Sequence, residues 1–458
     1  MAIASINPAT GELVREFTAH TDAEVDERIA SAHQAFADLQ KTDFATRARW
    51  MRAAADLLDD EVEQVADMIT LEMGKPLAQA RAEARKSATA MRFYAERAEA
   101  FLTGHALEDP SAVNASSATT RYEPLGVVLA VMPWNYPIWQ VVRFAAPALM
   151  AGNTGLLKHA SNVPQAALYL DALFERGGFP SGSFRSLLIP AAGVERVLRD
   201  PRVVAATLTG SEPAGRSVAA IAGSEVKHVV LELGGSDPFI VMPSADLDKA
   251  VATAVTSRTT NNGQACINAK RFIVHTDVYD AFVAAFTTAM AALVSGDPTD
   301  AGTDIGPLAT SSGLDDLAEL VDDAIAKGAT AEVGGSRPSG AGWFYPPTVL
   351  TGIQPQMRLY AEEAFGPVAT VYRADDAAEA LRIANDTTFG LSSAVWTQDA
   401  AEESELVAGI RAGAVFVNGM SISYPELPFG GIKDSGVGRE LSAEGIREFC
   451  NLKSVWKA

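Results

Sequence analysis

The sequence predicts an α/β protein built around parallel sheets, and two observations lead to that fold class. From about residue 126, short apolar runs alternate with helical stretches of about 10 to 15 residues, as in repeated β-α-β units. The same alternation returns after residue 238, so two α/β halves would meet near Gly234 and Gly235. Because ligands of parallel sheets collect at the carboxyl ends of the strands, we expect a cleft between the two halves.

The chain before residue 126 is predicted to be mainly helical. Thr21 and Glu24 have capping-box spacing, and apolar residues follow at helical intervals as far as Gln40. Two longer helical patterns cover about residues 44–73 and 77–101. Residues after 106, by contrast, are polar and weakly patterned as far as residue 123.

The candidate strands are short, mostly apolar runs that separate the later helical stretches. In the first half they cover residues 127–132, 155–158, 184–189, 203–208 and 228–233. In the second half they cover residues 271–274, 368–372, 393–396 and 414–417. The two halves share this alternation but no repeated sequence.

Composition and charge narrow the classes of partner. Of the 458 residues, 48% are hydrophobic and 21% are charged, as in ordinary soluble globular proteins. The formal net charge of -20 would repel polyanions, so neither nucleic acid nor an anionic membrane surface is an expected partner. A small anionic substrate stays compatible with this charge, because it needs only a local cluster of positive groups.

Three further features favour a cytoplasmic protein. The most apolar window, residues 126–152, is interrupted by proline, polar and charged residues, whereas a bilayer span needs about 20 predominantly apolar residues. The first residues lack the basic and apolar segments of a secretory signal. Two cysteines cannot form a disulfide framework in a chain of this size, which favours a reducing compartment.

Cys266 is the candidate nucleophile, because it follows a glycine and an amide closely and precedes Lys270 and Arg271. Taken alone, a cysteine is more often a small buried hydrophobic residue, since a reactive thiol needs an electropositive and accessible setting. The other cysteine, Cys450, is expected to be a buried thiol of that kind. What favours a nucleophile at Cys266 is the set of motifs found elsewhere in the chain.

Four runs, in their order and spacing, carry a resemblance to a known family. They cover residues 133–137, 231–235, 261–271 and 362–368, and residues 7–11 and 428–431 add to them. With these runs, nearly the whole chain resembles the aldehyde dehydrogenase superfamily. Within it, residues 132–139, 158–162 and 424–427 are most similar to bacterial succinate-semialdehyde dehydrogenases.

The resemblance implies a three-part architecture. Residues 1–106 and 125–234 would form a Rossmann-type parallel-sheet cofactor domain, and residues 235–444 an α/β catalytic domain. Residues 107–124 and 445–458 would form a small β oligomerisation segment. A homodimer or homotetramer is therefore expected.

The resemblance also implies a covalent mechanism. Cys266 would attack an aldehyde to give a thiohemiacetal and then, after hydride transfer, a thioester, while Asn135 and the Cys266 backbone N–H bind the oxyanion. Glu232 would activate the water that hydrolyses the thioester. From the residues alone, Asn135 could equally be an Asx-turn stabiliser between prolines. Glu232, at the end of an apolar strand, could equally be turned outward.

The dinucleotide is expected to be NADP, with NAD also possible. Lys158 would reach the ribose hydroxyls, although alone it reads as a solvated surface lysine. Three positions later, where family members that prefer NAD commonly carry an acidic residue, stands Ser161, whose hydroxyl can donate to a 2'-phosphate. His159 replaces the proline that usually follows the lysine.

The remaining candidate cofactor residues surround the expected pyrophosphate and nicotinamide. Gly210 and Ser211 lie in a strand-to-helix turn that resembles the family's pyrophosphate-binding turn, although an ordinary N-cap serine explains the spacing equally well. The other candidates, assigned by resemblance, are Trp134, Leu233, Glu363 and Phe365.

Substrate recognition is the least defined feature. Arg143 resembles an arginine that binds the distal carboxylate of succinate semialdehyde, with Trp139 and Ser423 as further candidates, and its alternative is a salt bridge. Some family members carry a second arginine where this chain has Thr260. The expected product is thus succinate. The alternatives are another short aliphatic or omega-carboxy aldehyde, such as glutarate semialdehyde, and, more remotely, a cysteine hydrolase; no metal site is expected.

Overall fold

The computed structural model describes residues 2–458. The helices follow the chain in this order: α1 Asp22–Leu39, α2 Phe44–Asp60, α3 Val62–Met73, α4 Leu77–Phe101, α5 Trp139–Ala151, α6 Pro164–Arg176, α7 Val194–Arg199, α8 Glu212–Ser224, α9 Leu247–Thr259, α10 Thr276–Ala291, α11 Ser311–Ala326, α12 Arg358–Ala361, α13 Ala377–Asn385, α14 Ala400–Gly409 and α15 Ser442–Arg447. Among residues 2–458, no helix has both the length and the apolar character needed to cross a bilayer.

The strands are mostly short. They are β1 Ile3–Ile6, β2 Leu13–Phe17, β3 Ser117–Pro124, β4 Val127–Met132, β5 Thr154–His159, β6 Phe184–Ser186, β7 Val203–Thr209, β8 His228–Glu232, β9 Asp237–Val241, β10 Ala269–His275, β11 Thr330–Val333, β12 Thr348–Thr351, β13 Val368–Ala374, β14 Ala394–Trp396, β15 Phe416–Val417, β16 Gly436–Val437 and β17 Cys450–Lys457.

The first sheet has the strand order β16-β8-β7-β4-β5-β6, and every pair in it is parallel except β16 with β8. Alternate residues of β4 show why these strands are apolar throughout. Val127 and Leu129 pack with residues of α1, α7 and α8, while Val128 and Ala130 pack with residues of α2 to α6. A strand that is buried on both faces has apolar residues at every position, as the sequence of β4 does.

The second sheet has the strand order β11-β12-β13-β10-β9-β14-β15, and it is likewise covered on both faces. Phe239 and Phe272 pack with residues of α9 and α10, while Ile240 and Ile273 pack with residues of α11 and α13. The chain passes from the first sheet to the second through the four residues between β8 and β9. This short connection brings the ends of the two sheets together at the double glycine.

The pair β3 and β17 forms an antiparallel ribbon apart from both sheets, with Ser117 opposite Lys457 and Pro124 opposite Cys450. Its large apolar side chains Leu452 and Trp456 are about half exposed. Sequence reasoning placed a small β segment here, although the polar run after residue 106 gave no clear strand signal. A strand exposed on both faces lacks the burial that produces a hydrophobic pattern.

Most predicted elements are present, but one helix and two strands were predicted wrongly, and the strand expected over residues 414–417 begins only at Phe416. The single helix expected over residues 44–73 is broken at Glu61, which leaves helical geometry between α2 and α3. The Glu61 carboxylate there accepts hydrogen bonds from Tyr169, at 2.9 Å, and from Arg176. The strand expected over residues 184–189 ends at Ser186. The strands β1, β2, β11 and β16 were not predicted, because short or partly exposed strands carry little periodic signal. The buried strands β9 and β12 were also not predicted; β9 follows β8 after only four residues, so no helical stretch separates the two.

The expected domain division stays a prediction. The strand β16 falls inside the range 235–444 assigned to the catalytic part, yet it is hydrogen-bonded to β8 of the first sheet. The chain after residue 428 therefore returns to the first sheet, next to the end of β8.

A buried ion pair fixes the start of α5. Lys75 and Glu83 are each about 1% exposed and form a salt bridge. The Glu83 carboxylate also accepts hydrogen bonds from the backbone N–H groups of Ile138 (2.9 Å) and Trp139 (3.0 Å). A carboxylate at a helix N-terminus is favourable, because it satisfies free N–H groups and complements the helix dipole. Helix α4 thereby sets the position of α5.

Replacing Glu83 with alanine should strongly destabilise the protein. The substitution leaves the Lys75 ammonium buried without a counter-ion and removes two hydrogen bonds from α5, and breaking such a pair from one side costs about 3 to 5 kcal/mol. Chemical denaturation should show this loss in the free energy of unfolding. The control is Glu63→Ala, which breaks the exposed pair between Glu63 and Arg81 and should change stability little. Equal, small effects of the two substitutions would contradict the assigned role of Glu83.

Candidate active site

The loop between α9 and β10, which carries Cys266, begins with a strained turn. Asn261, Asn262 and Gly263 have φ values of +59°, +56° and +72°, in the left-handed region that asparagine and glycine tolerate best. A β-carbon on Gly263 would lie 2.4 Å from the Gly366 carbonyl carbon, so this close approach requires glycine. The Asn262 amide donates to the Gly74 carbonyl at 2.9 Å. The turn is thus anchored to both halves of the molecule.

Side chains downstream of Cys266 hold its backbone in place. The Asn268 Oδ1 accepts a hydrogen bond from the Ala265 N–H (2.7 Å), and its Nδ2 donates to the Ser257 carbonyl (2.6 Å). The Lys270 Nζ donates to the carbonyl oxygens of Ala265 (3.0 Å) and Cys266 (2.6 Å). Polar contacts therefore fix the orientation of residues 260–268, here called the nucleophile loop because they carry the candidate nucleophile.

The Cys266 thiol is protonated in the resting protein at neutral pH. Burial raises its pKa to about 12, and the nearby carboxylates Glu363 and Glu232 act in the same direction. The cations Arg143 and Lys270 lower the pKa but do not offset burial. Because the thiolate is the nucleophilic form, the site needs a proton acceptor for the thiol.

Asn135 lies against the nucleophile loop. Its Nδ2 donates to the Gln264 carbonyl at 3.0 Å, while its backbone carbonyl accepts from the Asn261 side chain at 2.8 Å. Within residues 2–458 its Oδ1 accepts no hydrogen bond, so the side chain does not form the Asx turn that was the alternative. The Cys266 N–H likewise has no acceptor among these residues. The Cys266 N–H and the second hydrogen of the Asn135 amide, which Gln264 does not use, therefore have no acceptor among these residues.

Glu232 ends β8 and is directed into the protein rather than outward. Its side chain is buried, and neither carboxylate oxygen has a hydrogen-bond partner among residues 2–458. Burial raises its pKa well above the usual range, Glu440 adds to this shift, and Arg143 opposes it. A β-carbon on Gly430 would lie 2.8 Å from the Glu232 Oε1, so the glycine leaves room for the carboxylate. A carboxyl group with a raised pKa is suited to accept a proton near neutral pH.

Arg143, on α5, is almost fully buried and forms an ion pair with Glu440. Its guanidinium carbon lies 4.6 Å from the centre of the Phe429 ring. Backbone hydrogen bonds of 2.7 Å in both directions join Phe429 to Glu440. The salt bridge weighed as the alternative for Arg143 is thus present within the chain. Binding of a substrate carboxylate by Arg143 stays a prediction.

A cavity of about 440 Å³ opens beside Cys266. Trp139, Arg143 and Ser423, predicted to bind substrate, all lie in its wall. The wall also includes a lysine that sequence reasoning did not consider, Lys86 of α4. The cavity therefore joins the candidate nucleophile to a group of polar and cationic side chains.

Among the candidate cofactor residues, Lys158 is buried in β5 rather than exposed at the surface. Burial lowers its pKa, and its ammonium has no hydrogen-bond or ion-pair partner among residues 2–458. The Ser161 carbonyl accepts from the Ala4 N–H at 3.0 Å, so β1 positions this loop. His159 is hydrogen-bonded through Nε2 to the Pro137 carbonyl at 2.9 Å. The histidine thus connects the cofactor strand to the loop that carries Asn135.

The predicted strand-to-helix turn joins β7 to α8. Ser211 is the N-cap residue of α8, but its hydroxyl makes no capping hydrogen bond. Leu233 is buried directly beyond β8, and the next N–H, that of Gly234, donates to the Glu212 carboxylate at 3.0 Å. Gly210 and Ser211 therefore lie at the N-terminus of α8, where the Ser211 hydroxyl makes no hydrogen bond to the helix.

Trp134 and Phe365 meet edge to face, with ring centres 5.6 Å apart. Glu363, two residues before Phe365, forms a buried ion pair with Lys270 at 2.8 Å. Because Lys270 also binds the Cys266 carbonyl, this pair links the candidate nicotinamide region to the nucleophile loop.

Sequence reasoning missed several residues that build the site: Lys86, Asn261, Asn268 and Glu440. Lys270 was noticed, but only as a basic neighbour of Cys266. The asparagines Asn261, Asn262 and Asn268 on either side of Cys266 could have indicated side chains that hydrogen-bond to the backbone and hold the loop. The residues around Glu440 and Lys86 in the sequence form no recognisable motif, because the partners of both side chains are distant along the chain.

The cavity lacks the residue type expected for the cysteine hydrolase alternative. A cysteine hydrolase needs a histidine base, and none of the described side chains lining the cavity is a histidine. Residues 2–458 contain no group of three or more histidine, cysteine or acidic side chains placed to hold a metal ion.

Comparison with known proteins defines the class of this protein. The model of the aldehyde dehydrogenase family matches residues 1–455. The chain therefore belongs to the aldehyde dehydrogenase family, which confirms the predicted fold class and the resemblance.

More specific similarities accompany the family match. A Mycobacterium tuberculosis protein named succinate-semialdehyde dehydrogenase (NADP(+)) 1 is 64% identical over 458 residues, which cover 100% of both chains. A Mycobacterium avium protein named succinate-semialdehyde dehydrogenase (NADP(+)) is 64% identical over 457 residues, covering 100% of this chain and 97% of the other. The crystal structure of succinic semialdehyde dehydrogenase from Streptococcus pyogenes with NADP+ has a TM-score of 0.96 and 35% identity, and the match covers 99% of each chain.

Alkylation of Cys266 should be slow at neutral pH and should accelerate as pH rises. Because burial raises its pKa to about 12, the thiolate fraction of the ligand-free protein should increase about tenfold per unit between pH 7 and 9. Mass spectrometry after iodoacetamide treatment measures this on the peptide that contains Cys266, with Cys266→Ser as the control for assignment. A labelling rate that already reaches a plateau below pH 8 would contradict the protonated resting state.

Proposed function

We propose that this enzyme oxidises succinate semialdehyde to succinate with NADP, through a covalent intermediate on Cys266. The observation that carries the proposal is the cavity that places Cys266 in the same wall as cationic side chains. The relatives at 64% identity over the whole chain, which carry this activity in their names, support the choice of aldehyde and dinucleotide. An aldehyde with a distal carboxylate would present its reactive carbon to the thiol and its charge to the cations.

The first half of the reaction forms the bond to sulfur. The Cys266 thiol gives its proton to solvent water, and Sγ attacks the carbonyl carbon to give a thiohemiacetal whose oxygen carries the negative charge. The Asn135 amide and the Cys266 N–H donate hydrogen bonds to that oxygen. Because the loop is held by Lys270 and Asn268, these donors are positioned before the substrate binds.

Glu232 acts in the second half. Once the thioester has formed, the carboxylate accepts a proton from water while the water oxygen attacks the thioester carbon. The C–S bond then breaks, the acid leaves, and the proton held by Glu232 passes to the sulfur, which restores the thiol. A buried carboxylate without hydrogen-bond partners is suited to this role, because its raised pKa makes it a stronger proton acceptor.

The residues present fit a phosphorylated dinucleotide. The unpartnered Lys158 ammonium and the Ser161 hydroxyl would hold the phosphorylated ribose, Gly210 and Ser211 the pyrophosphate at the start of α8, and Glu363 the nicotinamide ribose. Trp134, Leu233 and Phe365 would flank the nicotinamide half. The bound cofactor would supply the hydride acceptor.

The proposal extends to assembly and location. The ribbon of β3 and β17, with Leu452 and Trp456 half exposed, would pair with further copies in a homodimer or homotetramer. The two α/β parts would act as a cofactor domain and a catalytic domain. The cytoplasm is the proposed location, since the chain has only two cysteines.

Substitution of the two chemical groups tests the mechanism. With succinate semialdehyde and NADP, Cys266→Ala should produce no NADPH, because no covalent intermediate forms. Glu232→Gln should produce up to one equivalent of NADPH per active site and then stall, because hydrolysis of the thioester is slow. Stopped-flow absorbance at 340 nm measures both. Sustained turnover by Cys266→Ala, or an unchanged steady rate in Glu232→Gln, would contradict the proposal.

Cofactor preference should respond to Ser161. In Ser161→Glu the new carboxylate would repel a 2'-phosphate while it can still accept from a 2'-hydroxyl, so the ratio of kcat/KM for NADP over NAD should fall at least about tenfold. Ser161→Ala is the matched control, which removes the hydroxyl without adding charge and should have a smaller effect. A parent enzyme that prefers NAD, or equal effects of the two substitutions, would show that the 2'-phosphate binds elsewhere.

A further inference from the structure

The charges around the cavity do not balance. Lys75, Glu83, Lys86 and Arg143 are the charged residues in its wall. Lys75 is paired with Glu83, and Arg143 is paired with Glu440. Lys86 has no carboxylate partner among residues 2–458. One uncompensated positive charge is therefore left in the cavity.

The Lys86 ammonium is held in a defined position. Its Nζ donates to the Ser423 Oγ at 2.9 Å and lies 4.3 Å from the centre of the Trp139 ring. The Trp139 Nε1 donates to the same Ser423 Oγ at 3.1 Å. Since the hydroxyl oxygen accepts both hydrogen bonds, the Ser423 O–H is left to donate. Lys86 and Ser423 thus present an ammonium and a hydroxyl donor side by side.

We propose that Lys86 is the residue that selects an aldehyde with a distal carboxylate, binding that carboxylate together with the Ser423 hydroxyl. This inference rests on the proposed function and names the residue that would determine the enzyme's substrate class. The substrate carboxylate serves as the counter-ion that Lys86 lacks within the chain. The Trp139 ring forms the cavity wall beside the ammonium group. A neutral aldehyde of the same length makes no such contact.

Other positive or polar groups in the wall are less suited to this role. The Arg143 guanidinium is already paired with Glu440, whose charge acts on Glu232. The Thr260 hydroxyl donates to the Thr256 carbonyl at 2.7 Å, so its hydrogen is engaged. Removal of Arg143 would therefore disturb the base and affect all aldehydes. Removal of Lys86 would affect those with a carboxylate.

Because Lys86 can lose its charge, the proposal predicts that the preference for a carboxylate-bearing aldehyde depends on pH. Burial, Arg143 on α5 and Lys75 lower its pKa to about 8, while Glu83 on its own helix raises it. Above pH 8 the free enzyme loses the ammonium charge, so kcat/KM for succinate semialdehyde should fall relative to kcat/KM for butanal. Contributions from Cys266 and Glu232 are common to both aldehydes and cancel in this ratio.

The test compares three variants by the ratio of kcat/KM for succinate semialdehyde to that for butanal, with saturating NADP. Lys86→Met should lower the ratio roughly 30-fold or more, the size expected for loss of a charge-assisted contact. Lys86→Arg should restore most of the ratio and keep it constant up to pH 9.5, because guanidinium stays charged. Arg85→Met, which removes an exposed charge one residue away on α4, should leave the ratio unchanged.

An unchanged ratio in Lys86→Met, including equal losses for both aldehydes, would overturn the proposal. If Lys86→Met does not fold, the pH dependence of the ratio in the parent and in Lys86→Arg decides: identical profiles overturn the proposal, and a fall above pH 8 in the parent alone supports it. A parent enzyme that does not prefer succinate semialdehyde over butanal would contradict the proposed function itself. The two failures are therefore distinguishable.

Discussion

The geometry of the site depends on one buried ammonium group, that of Lys270. It donates to the carbonyl oxygens of Ala265 and Cys266 and forms an ion pair with Glu363. These contacts tie the nucleophile loop to the segment that carries the candidate nicotinamide residues. Because the lysine is buried and its partners are buried or largely buried, the interactions are little weakened by solvent, and loss of the lysine would leave a carboxylate and two carbonyls without this partner.

A second set of buried charges governs the candidate base. Burial and Glu440 raise the pKa of Glu232, burial and Glu448 raise the pKa of Glu440, and Arg143 lowers both. Two carboxylates near one guanidinium hold one proton more readily than two isolated carboxylates would, so the pair should be regarded as one titrating unit. Arg143 therefore acts on the ionisation of Glu232 both directly and through its ion pair with Glu440. Arg143 can therefore line the cavity and still serve mainly as the ion-pair partner of Glu440.

The sequence predicted those parts of the site that are written in contiguous runs. Asn135, Glu232 and Cys266 each lie in a short motif next to a strand, and the strands themselves are long enough and apolar enough to recognise. The ion pairs were not predictable in this way. Glu440 lies almost 300 residues after Arg143 in the chain, and Lys86 has no pattern that distinguishes it from the other charged residues of α4. The same reason applies to the break at Glu61, whose partners Tyr169 and Arg176 belong to a distant helix.

Helix α5 shows how the missed contacts and the predicted ones combine. Its first N–H groups are bound by Glu83, and its Arg143 is bound by Glu440, so elements before and after it in the chain fix both its start and its middle. Trp139 and Arg143, four residues apart on one face of the helix, consequently lie in the cavity wall with little freedom to rearrange. Lys86, three residues after Glu83 on α4, lies on the same side of its own helix as that anchor. The carboxylate that positions α5 thus lies one helical turn from the cavity's uncompensated charge, and the substrate recognition proposed for Lys86 would depend on helix packing rather than on any single motif.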